Sequence, residues 1–355
     1  MRLRFLTSTP LSVTRGSGTF VGIQSLVDAL RALGTEVDLA APGIHLPVYT
    51  LERLLFNERL RWSTGGDWDA TVGFDLDGYR VAGRSRTPHI ASLKGVIADE
   101  LRMQKGLTWA TMAVQARCEA AHARRADAVV TTSIYSAERA QEAYQLRERP
   151  RIVPELIDLA AWRRVLAANL AQPDPRKFTV LCVCRLYRRK RVNLLVEAAG
   201  LVRGRIPELR VRIVGDGPER EEFQRVWREK GLEETVQFLG DVTQAQLAAE
   251  YNGCDLFCLP SVQEGFGIVF LEAMAAGKAI VAARAAAIPE VVRHGVLVDP
   301  DSAEALAAGI EGLYGAPEGR ADLVRSGSAW VEQFDAPRVA GLFLEEIRRV
   351  SGSNG

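Results

Sequence analysis

Glu264-Gly265-Phe266-Gly267-Ile268-Val269-Phe270-Leu271-Glu272-Ala273-Met274-Ala275-Ala276-Gly277 is the stretch on which the fold turns. Two carboxylates bracket the junction of a glycine loop with an apolar run, and Gly277 stands where a helix C-cap glycine belongs. The apolar run Leu256 to Leu259 comes before it, through Pro260-Ser261, and a second, Ala279 to Ala283, comes after. Strand, glycine loop, helix and strand make the βαβ unit of a parallel sheet.

The same rhythm extends in both directions. Upstream, Phe178 to Cys184, Val211 to Val214 and Val236 to Leu239 read as strands separated by helical patterns. Downstream, Val296 to Val298 is a further strand. The first half repeats the alternation, from Leu3 to Ser8, through a helix ended by Gly34, to strands at Glu36 to Ala41, Ala70 to Phe74, His89 to Leu93 and Ala128 to Thr132. The pattern loosens between Ala160 and Lys177, where Pro173-Asp174-Pro175 punctuates it, so the domain boundary is expected there. The expected fold class is α/β: two Rossmann-like, doubly wound parallel-sheet domains, 1–165 and 166–331, facing across a cleft. The C-terminal helix, 332–355, is expected to pack back onto the first domain.

Composition sets the frame. The chain has 355 residues, 47% apolar and 25% charged, with a net charge of +1. That is ordinary for a soluble globular protein of about two domains. No run approaches the ~20 apolar residues of a membrane span, and the N-terminus turns polar too soon for a signal peptide. The five cysteines lack metal-ligand spacing with histidine and read as buried thiols of a reducing cytoplasm. Basic residues, nearly all Arg, outnumber acidic ones in the first half, and the reverse holds in the second. Arginines interleaved with aromatics from Arg53 to Trp62 and Arg102 to Trp109 fit peripheral contact with an anionic membrane surface. No motif supports nucleic-acid binding.

Ligands of parallel α/β sheets sit at the carboxyl ends of the strands. Arg185 follows one such end and Lys190 lies in the same basic loop. A guanidinium and an ammonium there suit a diphosphate, the first by bidentate contacts and the second as a point charge. Glycines 265 and 267 let backbone N–H groups approach a ligand at a helix N-terminus. Glu272 lies within that helix, whose side chains tilt toward its N-terminus, so its carboxylate returns to the same site. Carboxylates accept hydrogen bonds from paired sugar or ribose hydroxyls. A structural alternative pairs Glu272 with Lys278.

These residues resemble a family. Val183-Cys184-Arg185-Leu186 through Lys190, Val214-Gly215-Asp216-Gly217-Pro218, Phe238-Leu239-Gly240, Ala249 to Pro260, Glu264 to Gly277 and Ile288-Pro289-Glu290-Val291-Val292 run in the order found in retaining glycosyltransferases of the GT-B fold, family four. The resemblance implies transfer of a hexose-type sugar from a nucleoside-diphosphate sugar to an acceptor hydroxyl, without a metal or cofactor; the thiols, the N-terminus and the basic–aromatic stretches place the protein in the cytoplasm or peripherally at the inner face of the membrane. It implies that Arg185 and Lys190 hold the donor diphosphate and stabilise its departure, and that Glu272 takes the ribose hydroxyls. Glu264 and the amides of Phe266 and Gly267 would take the donor sugar. Gly215, Gly265 and Ile268 would complete the donor site, and the Gly240-Asp241-Val242 loop would flank the base. In the first half, Gly16-Ser17-Gly18 resembles the family's glycine loop, and Ala126-Asp127-Ala128-Val129-Val130-Thr131-Thr132-Ser133 resembles one of its strands.

This chain departs from the family pattern twice. Lys94 stands where a histidine is common, and is expected to polarise phosphate oxygens. Ala286-Ala287 replaces a glycine pair. Three rival readings stay on the table. One is a GT-B-fold nucleotide-sugar epimerase or a non-catalytic nucleotide-sugar binder. Another is metal binding by Asp75-Leu76-Asp77, and the third a dinucleotide fingerprint at Gly16-Ser17-Gly18.

Overall fold

The computed structural model describes residues 1–10, 18–43, 46, 48–62, 66–84 and 86–352. It divides into two compact units. The first comprises Met1–Leu156 and the C-terminal segment from Ala336, and the second is Ile157–Asp335.

The first unit holds six parallel strands: β1 (Arg2–Leu6), β2 (Glu36–Ala40), β3 (Ala70–Phe74), β4 (His89–Leu93), β5 (Ala128–Thr131) and β6 (Arg151–Ile152). Their order is β2-β1-β3-β4-β5-β6, so the direction of winding reverses between β1 and β3. Helix Ala336–Gly352 belongs to this unit. It buries Val339, Phe343 and Ile347, and the ring of Phe343 meets Phe5 of β1 edge-on at 6.1 Å.

The second unit holds β7 (Phe178–Val183), β8 (Leu209–Val214), β9 (Val236–Gly240), β10 (Leu256–Leu259), β11 (Ala279–Ala283) and β12 (Val296–Val298). Their order, β12-β11-β10-β7-β8-β9, is the Rossmann 3-2-1-4-5-6 pattern read from β9. Winding reverses between β7 and β10, which pair in parallel at Val180–Leu256 and Leu181–Phe257. Every residue of β10 and β11 is buried, as expected for central strands covered on both faces.

The boundary between the units lies at 156/157 rather than at the expected 165/166. Helix Leu159–Ala168 is the reason. Asp158 caps it by accepting from the Ala161 amide at 2.8 Å, and Leu159, Trp162 and Leu166 are buried in the second unit's core. The looser segment therefore opens with a packed helix rather than a linker.

Candidate active site

Two loops meet at the β7–β10 switch point, where an open α/β sheet leaves a crevice for ligands. The first follows β7. The Cys184 amide donates to the Val214 carbonyl at 3.1 Å and the Leu186 amide to the Asp216 carbonyl at 3.0 Å, which fixes Arg185 between two buried neighbours. This close approach requires Gly215, whose φ is +113°. A Cβ there would stand 2.0 Å from the Cys184 carbonyl oxygen. The Arg185 guanidinium is partly exposed and lies 3.8 Å from the Asp241 carboxylate, in the loop after β9. The backbone then makes a short 3₁₀ turn, Arg188–Lys190.

The second loop follows β10 and is stitched to the first. The Val262 amide donates to the Arg189 carbonyl at 2.9 Å, and the Ser261 hydroxyl to the same oxygen at 3.3 Å. This brings the Lys190 ammonium into an ion pair with Glu264, both side chains about nine-tenths buried. Burial alone would raise the Glu264 pKa. The Lys190 and Arg189 charges outweigh it and hold the carboxyl below its ordinary range, so Glu264 is ionised at neutral pH. Phe266 is buried edge-on against Phe334 at 5.5 Å. Gly267, at φ +96°, starts helix Ile268–Ala275, whose first amides lack intrahelical partners. That helix closes in a Schellman motif. The Gly277 amide donates to Met274 at 3.0 Å and the Lys278 amide to Ala273 at 2.9 Å.

Glu272 is half-buried on this helix. The Tyr251 hydroxyl donates to its Oε2 at 2.9 Å, and the Trp162 indole donates to its backbone carbonyl at 3.2 Å. Lys278 does not pair with it, donating instead to the carbonyls of Asn252 at 3.0 Å and Cys254 at 2.8 Å. Burial raises the Glu272 pKa, opposed by the Tyr251 hydrogen bond. A raised folded pKa means the folded state holds this proton more tightly than the unfolded chain does. Stability from this group is full below the ordinary value of 4.5 and is lost as pH rises through the folded value. Glu272→Gln imitates the protonated acid at every pH. The variant should therefore match wild type in acid and exceed it in stability at neutral pH, as read from urea melts across the acid range.

Of the other expected donor residues, Val242 packs partly buried on the core, Ile268 is the first residue of its helix, and Gly265 separates Glu264 from Phe266. Gly16 lies outside the described residues. Gly18 opens helix Gly18–Ala32, and a Cβ there would meet nothing within 4 Å.

Lys94 is placed differently from the expectation. Its ammonium donates to Glu155 at 3.0 Å, with both side chains less than one-tenth exposed. A Cβ at Gly22 would come within 2.6 Å of a Glu155 oxygen, so that glycine makes room for the pair. Lys94 is thus the counter-ion of a buried carboxylate, a placement that its reading as a group polarising phosphate did not include. Asp77 is fully buried and accepts from the Ser8 amide at 2.6 Å, Asn57 at 2.8 Å and Arg53 at 3.3 Å. Asp75 accepts from the Lys94 amide at 2.9 Å. The two carboxylates of Asp75-Leu76-Asp77 thus serve separate internal partners. Among the described residues no group of three or more His, Cys, Asp or Glu is placed to hold a metal ion.

His89 opens β4 in a buried chain of hydrogen bonds. His122 Nδ1 lies 2.5 Å from the Asp75 carbonyl and must carry a proton. Its Nε2 therefore accepts from His89 Nε2 at 2.8 Å, and His89 Nδ1 accepts from the Thr71 hydroxyl at 2.6 Å. Burial lowers both pKa values, so the pair is neutral and structural.

Residues 169–330 match the family model described as "Glycosyl transferases group 1". Through this segment the chain is similar to the glycosyl transferases group 1 family. The sucrose-phosphate synthase of Thermosynechococcus elongatus superposes on this chain with a TM-score of 0.83 at 21% identity, covering 99% of both chains. Anabaena Alr3699/HepE, solved in complex with UDP, gives 0.74 at 19% identity, covering 98% of this chain and 99% of that one. These likenesses show the fold, GT-B. Among curated relatives, a D-inositol 3-phosphate glycosyltransferase of Pseudarthrobacter chlorophenolicus is 33% identical over 56% of this chain and 50% of its own. A GDP-mannose-dependent alpha-(1-6)-phosphatidylinositol monomannoside mannosyltransferase of Mycolicibacterium smegmatis is 32% identical over 47% of each. The match spans about half the length of these relatives.

Tyr251 and Trp162 carry no functional signal in the sequence. Each contacts Glu272 from a different helix, 21 and 110 positions away, so no local spacing signals them.

Proposed function

We propose that the protein transfers a hexose-type sugar from a nucleoside-diphosphate sugar to an acceptor hydroxyl, with retention at the anomeric carbon and without a metal. The observation that carries this reading is the buried Lys190–Glu264 ion pair at the β7–β10 switch point, just before the helix that Gly267 starts, with Arg185 on the same loop as Lys190. As the sugar–phosphate bond lengthens, negative charge grows on the diphosphate, and Arg185 and Lys190 stabilise it. Glu264 is ionised, so it acts as an acceptor for sugar hydroxyls and as the counter-charge that orients Lys190, not as a general acid. Lys190 has three N–H donors and can keep Glu264 while taking a phosphate oxygen. Glu272 accepts from the ribose.

The test is incubation with nucleotide sugars and an acceptor panel, followed by product stereochemistry. Glycoside of unchanged anomeric configuration, formed equally well with EDTA present, is the expected outcome. Isomerised nucleotide sugar without acceptor would favour the epimerase alternative. Tight nucleotide binding with no turnover would favour a non-catalytic binder.

A membrane surface is the proposed setting for the acceptor. Val48, Leu51, Leu55 and Trp62 are exposed, Trp62 at 87%. At 100° per residue they share one face of helix Tyr49–Leu60 and its first flanking residues, with exposed Arg59 beside them. No helix among the described residues is long and apolar enough to cross a membrane. Co-sedimentation with anionic vesicles at low salt is expected, weakened severalfold by raised salt and by Trp62→Ser with Leu55→Ser. Equal pelleting of the double variant would contradict this placement.

A further inference from the structure

The geometry points to Tyr251 as a positioning residue for the donor site, one that fixes the Glu272 carboxylate so that its free oxygen meets a ribose hydroxyl. The inference rests on the function proposed above and adds a residue to it.

The phenol is held rigidly. Tyr251 lies near the end of helix Gln244–Gly253, which starts with a capping box formed by Thr243 and Gln246. The helix is pinned at its other end, where Lys278 binds the Asn252 and Cys254 carbonyls and the Asn252 amide donates to Leu166 at 2.8 Å and Asn169 at 2.9 Å. The ring is fully buried, stacked on Phe257 at 5.8 Å and edge-on to Trp162 at 5.6 Å. Its hydroxyl therefore has one direction, toward Glu272 Oε2 and, at 3.3 Å, the Val269 carbonyl.

The partner's chemistry matters as much as its position. A lysine or arginine at this distance would neutralise the carboxylate and compete with ligand hydroxyls. A neutral phenol fixes the rotamer and leaves the charge intact. Oε2 is occupied, and Oε1 has no hydrogen-bond partner among the described residues. The Trp162 bond to the Glu272 carbonyl fixes the backbone beneath. A carboxylate so held, on the helix whose N-terminus faces the diphosphate, presents one acceptor in one direction. That suits a hydroxyl of a nucleoside whose phosphates are anchored nearby.

The test is calorimetric binding of UDP, GDP and ADP, each against its 2′,3′-dideoxy counterpart, to wild type and Tyr251→Phe. The variant keeps the ring and removes one oxygen, and a thermal melt checks its fold. For the diphosphate that binds best, Tyr251→Phe should weaken affinity about 10-fold, the order expected for one charge-assisted hydrogen bond. The dideoxy analogue should bind both proteins equally. In a second arm, Tyr251→Phe combined with Glu272→Gln should bind no more weakly than Glu272→Gln alone. Equal losses for ribose and dideoxy ligands, or additive losses in the double variant, would overturn the proposal while leaving the donor site standing. Failure of wild type to bind any of the diphosphates would overturn the reading beneath it.

Discussion

Lys190→Ala is expected to lower donor turnover about 10²–10³-fold and to destabilise the second unit at the same time. On the proposed mechanism the first effect is the loss of a positive charge beside the departing diphosphate. The second follows from Glu264, which sits about nine-tenths buried and opposite Lys190 in the free protein. Removing one partner of a buried pair leaves the other desolvated and uncompensated, at a typical cost of about 3–5 kcal/mol. The two effects separate in the double variant Lys190→Ala with Glu264→Gln, which removes the stranded charge. Stability should largely return and turnover should not.

The acid range gives an independent check on the pair. The folded-state pKa of Glu264 is held below its ordinary value, so the stability it contributes is present above that value and lost as pH falls through the folded one. Lys190→Ala should abolish that acid-side loss. Urea melts of the three proteins across the acid range, with turnover measured in parallel, read both effects. Full stability together with normal turnover in Lys190→Ala would remove the pair from the account.

Arg185→Ala should show the opposite combination, a turnover loss of similar size with almost no change in stability. Its guanidinium is partly exposed, and its nearest acid, Asp241, is half-exposed at 3.8 Å. Exposed pairs of this kind contribute roughly 0–1 kcal/mol, so the melting curve should hardly move. In the proposed donor complex Arg185 would make bidentate contact with phosphate oxygens as charge builds on them. Arg185→Lys should restore part of the charge stabilisation and little of the geometry. Comparing kcat and KM for the three proteins distinguishes the cases. A loss confined to KM would mean that Arg185 binds donor and transition state equally, and would shift the stabilisation of the leaving group to Lys190.

The two variants also show what was legible in the sequence. The sheets were legible because central parallel strands are buried on both faces. Leu256 to Leu259 and Ala279 to Ala283 therefore appear as unbroken apolar runs between glycines. The strand end before Glu264 follows from the first of those runs, and the one before Arg185 from the mostly apolar run Phe178 to Cys184. What the charged residues bind was harder to read. Lys94 stands at a strand end like Arg185, and the two look equivalent in sequence. The difference is Glu155, 61 positions on, which takes the Lys94 ammonium into the interior. Glu264 is 74 positions from Lys190, a separation that likewise becomes a contact only through the switch between β7 and β10.

The domain boundary was a different kind of miss, because its signal was present. Asp158 is a good N-cap, and Leu159, Trp162 and Leu166 fall on one helical face, yet Pro173-Asp174-Pro175 downstream drew the boundary toward itself. Tyr251 left no comparable trace. A tyrosine near the end of a helix before a strand is an ordinary core residue until the fold sets its hydroxyl beside Glu272.

The central claim is that the β7–β10 switch point of the second unit binds a nucleoside diphosphate through Arg185, Lys190 and Glu272. Calorimetric titration of wild type and Arg185→Ala with UDP, GDP and ADP tests it most directly. Saturable binding of at least one of them to wild type, weakened at least 10-fold in a variant that melts like wild type, is the result the account predicts. Wild type binding none of the three, or Arg185→Ala binding as tightly as wild type, would contradict it.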